Sequence, residues 1–135
     1  FVSSCCRQVE RAGQPVTYTM TGRAVSHWQK ADADRQILPI RVWDEDPRGL
    51  VMVRTRLSKD HAEAERARVG HARQGHCAIV VGSDKRARTI DLIAGNSSGH
   101  GHSKVAGTGS VARERITEGD DAWARLVGFV RVAAP

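Results

Sequence analysis

Apolar residues fall in short runs along the chain, and their spacing changes period several times. Residues 3–12, SSCCRQVERA, read as a short helix that starts at a Ser cap and stops at Gly13. PVTYTM (15–20) and RAVSHW (23–28) read as strands on either side of Gly22, and QKADADRQ (29–36) as a polar loop. ILPIRVW (37–43) has strand character interrupted by Pro39, which favours an edge position. DEDPRG (44–49) is a turn cluster, and LVMVRT (50–55) a further strand. The spacing predicts that 37–43 and 50–55 pair as a hairpin.

At Ser58 the period changes. SKDHAEAERARV (58–69) predicts a helix capped by Ser58 or Asp60 and stopped at Gly70. Its apolar positions are mostly alanine, which suits a helix lying over the end of a barrel. HCAIVVG (76–82) predicts a buried strand, SDKRAR (83–88) a basic turn, and TIDLIAG (89–95) an alternating strand. NSSGHGHS (96–103) is a loop and KVAGTGSVARE (104–114) a Gly-rich strand. Asp120 or Asp121 would cap a final helix, AWARLVGFVRV (122–132), with Trp123, Leu126, Val127 and Val130 on one face. The expected fold is mostly β with flanking helices (α+β), a single domain over residues 1–135. Its sheet is largely antiparallel, and six to seven strands would close as a small barrel to hide their edges.

Composition adds a partner question. Hydrophobic residues make up 40% and charged residues 27%, the balance of an ordinary globular chain, and no apolar run is long enough to cross a membrane. The net charge is +6, and the excess is local: residues 51–90 hold nine Lys/Arg against four Asp/Glu. Arg54, Arg56, Lys59, Arg66, Arg68, Arg73, Lys85, Arg86 and Arg88 are the types that follow a nucleic-acid backbone. Aromatics are only 4%, which leaves few platforms for stacking bases. One reading is therefore a non-catalytic basic β-barrel subunit that docks on RNA or a larger assembly through 54–88. Cys5, Cys6 and Cys77 include no C-x-x-C spacing and suggest free thiols in an intracellular, reducing compartment. The chain begins at Phe1 rather than Met, so a cleaved targeting segment stays open and cytoplasm and organelle matrix remain alternatives.

Most motif chemistry is absent. There is no H-E-x-x-H, and the His100-Gly101-His102 pair sits in a Gly/Ser loop without a carboxylate at ligand spacing. His71 and His76 flank a helix end, where the dipole favours them. There is no G-x-S-x-G, Cys77 reads as inert packing, and Gly107-Thr108-Gly109 lacks the Lys of a phosphate loop. The stretch with chemistry is RTRLSKDH (54–61), where a strand ends at Thr55 and a helix opens near Ser58. Helix N–H groups, hydroxyls and an ammonium are what an anion needs. Alternation would send Arg54 and Arg56 to one face and Thr55 to the other. Thr55 and Ser58 could then donate to one anion that Lys59 or an Arg neutralises. A capped turn with solvated cations is the alternative.

LPIRVWDEDPRGLVMVRTRLSKDHAEAERA (38–67) resembles the FMN-binding split-barrel superfamily, which includes pyridoxamine-phosphate-oxidase-like and haem-utilisation-type proteins. The likeness lies in a Pro-bearing strand, an acidic-Gly turn, a strand ending in Thr, and Ser-x-Lys or a nearby His opening a helix. HCAIVVG, the Gly-rich strand and the terminal helix follow in the family's order. The resemblance implies a small antiparallel split β-barrel and an FMN site, with deazaflavin or no cofactor as alternatives. Thr55, Ser58 and Lys59 would line the flavin phosphate, Arg54 or Arg56 would assist, and His61 matches the haem-utilisation branch. It also implies a homodimer with the site across its interface, and a flavin-dependent oxidoreductase acting on a small conjugated substrate.

Overall fold

The structure, a computed structural model, describes residues 2–13, 36–37, 41–67, 75–95, 103–105 and 109–131. The strands expected at 15–20 and 23–28 and most of the loop at 96–103 lie outside them. Helix α1 spans Val2–Arg11 and ends at Gly13, whose φ of 86° is the left-handed conformation that stops helices. Strands β1 (Gln36–Ile37) and β2 (Val51–Thr55) precede helix α2 (Lys59–Ala67). Then come β3 (Gly75–Asp84), β4 (Thr89–Gly95), β5 (Ser103–Val105) and β6 (Gly109–Thr117). A single helical turn, α3 (Asp121–Ala124), leads into β7 (Leu126–Val130).

All seven strands form one sheet in the order β1-β7-β2-β3-β4-β6-β5, and every observed pairing is antiparallel. Five of them have five or more residues, while β1 and β5 are short edge pieces. Among the described residues β1 and β5 do not pair, so the sheet is open rather than a closed barrel.

It is nevertheless curled. Arg54 on β2 bonds Glu114 on β6, although β3 and β4 lie between them in the sheet. Three strand spacings on a flat sheet would separate their backbones by about 14 Å. The concave face holds Met52, Ala78, Val80, Ile90, Leu92, Ile116 and Phe129 in one core cluster. On the opposite face α1 packs Val2 and Cys6 against Val51, Val53, Val127 and Val130.

Three expectations need correction. Residues 37–43 and 50–55 do not form a hairpin: β2 pairs with β3 and β7, while Val42 and Trp43 enter the core from a turn. β7 supplies a fully buried strand, with all five residues inaccessible, and takes the place beside β2. The terminal segment is not a helix beyond Ala124. Asp120 does cap that turn, accepting from Trp123 N–H at 2.8 Å, and the chain then turns into β7. The Gly-rich strand is two strands, β5 and β6. The strands expected at 50–55, 76–82 and 89–95 are β2, β3 and β4, with β3 running on through Asp84 into the expected turn.

Candidate functional site

The junction between β2 and α2 carries the cations and hydroxyls of the expected anion site. Ser58 caps α2: its Oγ accepts from the His61 backbone N–H at 3.4 Å and lies 2.7 Å from His61 Nδ1. Ala62, one turn in, is fully buried and seats the helix, and Arg66 donates to the Leu126 carbonyl. Arg56, Ser58, Lys59 and His61 are exposed around this helix start.

Arg54 and Thr55 are placed differently. Thr55 is fully buried, with its Oγ1 accepting from Leu57 N–H at 3.1 Å, so it shapes the turn from beneath. Arg54 points into the concave face and makes two bonds to Glu114, at 2.8 and 3.0 Å. Its side chain is 13% exposed and that of Glu114 24%. Arg54 is half-buried within β2, whereas Arg56 is exposed just beyond the end of that strand. The structure brings together Arg56, Ser58, Lys59 and His61, and separates Arg54 and Thr55 from them by burial.

His76 belongs to the buried strand expected at 76–82, and only its reading as a residue flanking a helix end fails. It lies on β3, paired with Arg54 across the ladder, not at a helix end. It is 7% exposed, and its Nε2 has no hydrogen-bond partner among the described residues. Burial, and then the Arg54 charge, push its pKa down to about 4, so the ring is neutral near pH 7. The alternation of β3 was the available signal, since His76, Ala78 and Val80 share one face. Glu114 carried no local signal.

Arg68 and Arg73 lie outside the described residues, and the exposed cations of 54–88 within them fall in two groups. Arg56 and Lys59 sit at the α2 end, while Lys85, Arg86 and Arg88 lie in the turn after β3. The ten residues of β3 run between these ends, a span of about 30 Å. Trp43 stacks on Trp123 with centroids 5.5 Å apart, and Arg88 lies over the Trp43 ring at 5.3 Å. Trp43 Nε1 also donates to Glu118 at 3.0 Å. A cleft of about 460 Å³ opens beside this cluster, lined by Pro47, Arg48, Val81, Ser83 and Lys85 among others. None of its lining residues belongs to the β2–α2 junction.

Comparison with family models, curated proteins and solved structures finds no match to this chain. Among the described residues no group of three His, Cys, Asp or Glu side chains converges, and no helix is long and apolar enough to cross a membrane. The chemistry must therefore be argued from the junction itself.

Proposed function

We propose that this protein binds the phosphate of FMN at the β2–α2 junction, on a sheet of split-barrel type, as a homodimer. The observation that carries the reading is the exposure of Arg56, Ser58 and Lys59 around the start of a nine-residue helix. Two cations, a hydroxyl and the backbone N–H groups at the start of the helix match a phosphomonoester dianion. Lys59 and Arg56 neutralise charge, and the α2 amides supply directed donors. Ser58 shares its hydroxyl with His61, which holds the cap geometry. Arg54 acts at a distance, tying β2 to β6 beneath the junction. A bound flavin would supply hydride transfer to a small conjugated substrate, while the protein binds and orients.

The competing reading, a basic subunit docking on RNA or a larger assembly through 54–88, needs the cations to form one track. Among the described residues the exposed cations of 54–88 divide between the two ends of β3, which favours the phosphate reading.

Titration with FMN, followed by quenching of flavin fluorescence, tests this. Lys59→Ala should weaken FMN about tenfold, the loss of one charge-assisted bond. Riboflavin, which lacks the phosphate, should be indifferent to that change. A protein that takes up no FMN but binds RNA with steep salt dependence would replace this reading with the second.

A further inference from the structure

The three cysteines gather at one interface that the flavin reading does not use. Cys6 is 5% exposed on α1 and belongs to the apolar cluster between that helix and the sheet. Cys77, half-buried on β3 opposite Val53, packs against the same cluster, and α1 touches β3 directly. Cys5 is half-buried beside them, and all three thiols are free. Among the described side chains of α1 only Val2 and Cys6 are buried, so a small apolar contact holds the helix down.

We propose that Cys6 and Cys77 are a disulfide-forming pair that pins α1 to the outer face of the sheet under oxidising conditions. Cys6 has Cys77 in the cluster beneath it. The alternative partner, Cys5, is its chain neighbour, and adjacent Cα atoms lie about 3.8 Å apart, short of the roughly 4.4–6.8 Å that disulfides span. Docked, both thiols resist attack, since burial raises Cys6 and pushes Cys77 up to about 11. A helix with only two buried side chains among those described opens readily, and opening returns the thiols to water. With glutathione disulfide as oxidant, one cysteine loses its proton and attacks a glutathione sulfur, releasing the first glutathione thiolate. The second cysteine then displaces the other glutathione. Two protein thiols are oxidised, one glutathione disulfide becomes two glutathione thiols, and the two cysteine protons end on them.

The test is a peptide map of the full chain after incubation with glutathione disulfide and non-reducing trypsin digestion. The expected product joins residues 1–7 to residues 74–85, with fragmentation placing the bond on Cys6. It disappears on reduction and in Cys6→Ser. Hydrogen exchange of the α1 amides should slow about tenfold in the oxidised protein and recover with reductant. Three free thiols after oxidation, a bond carried by Cys5, or unchanged α1 exchange would each overturn the proposal. Should Cys6→Ser fail to fold, the wild-type map and its exchange profile decide alone.

Discussion

His76 concentrates the cost of the inner face. A buried imidazole nitrogen without a partner costs about 1–3 kcal/mol even when neutral. Its pKa is lowered from 6.5 to about 4 by folding, so the unfolded chain binds the extra proton between those values. Stability from this group is fully present above about pH 6.5 and is lost as pH falls through about 4, a decline of up to about 3 kcal/mol. Urea denaturation at pH 7 and pH 4.5 should show that fall in the wild type and much less in His76→Leu. Arg54→Ala leaves Glu114 part-buried without its cation and should cost about 3 kcal/mol, with Arg54→Met/Glu114→Leu recovering most of it. Arg88 is a different kind of residue, being the non-glycine with positive φ, 57°, among the described residues. Arg88→Ala and Arg88→Gly both remove the cation over Trp43, but only Gly relieves the backbone. Thermal denaturation should therefore rank Gly above Ala by about 1 kcal/mol. These residues show where local reading ends. The cations of 54–61 are visible as types, whereas the bond from Arg54 to Glu114 spans sixty positions and depends on sheet curvature.

At the scale of elements, β7 explains the largest misreading. Leu126 and Phe129 join the concave core while Val127 and Val130 face α1. Such three-residue intervals imitate a helix face. In fact Arg54 pairs with Leu126 and Val53 with Gly128, which leaves Val127 as the extra residue of a bulge. One bulge converts a period of two into apparent helical spacing, and a nearby capped turn completes the disguise. Phe129→Ala discriminates the two: on the helical reading Phe129 lies off the apolar stripe, but as a fully buried partner of Met52 it should cost about 3–5 kcal/mol in urea denaturation. Strands β3 and β4 were legible because each buries alternate residues, and α2 because Ser58 marks its start. The hairpin expectation failed through the usual preference for sequence neighbours, which β7 displaces.

At the largest scale the described residues form one curled sheet whose two faces have different tasks. The concave face encloses the core and the Arg54–Glu114 pair, and the outer face receives α1. The anion site proposed at α2 and the basic turn after β3 lie at the two ends of β3. FMN and chloride-salt titrations should therefore respond to Lys59→Ala and not to Lys85→Ala, since about 30 Å lies well beyond the Debye length of about 8 Å at physiological salt.

The strand order has a consequence for synthesis. β2 lies between β3 and β7, and β7 is the last strand among the described residues. A ribosome adding about 5–20 residues per second needs roughly 4–15 s to pass from the end of β2 to the end of β7. During that interval the nascent chain carries VMVRT with one side of its backbone ladder vacant, and only Arg54 in the stretch is charged to deter a neighbouring chain from pairing there.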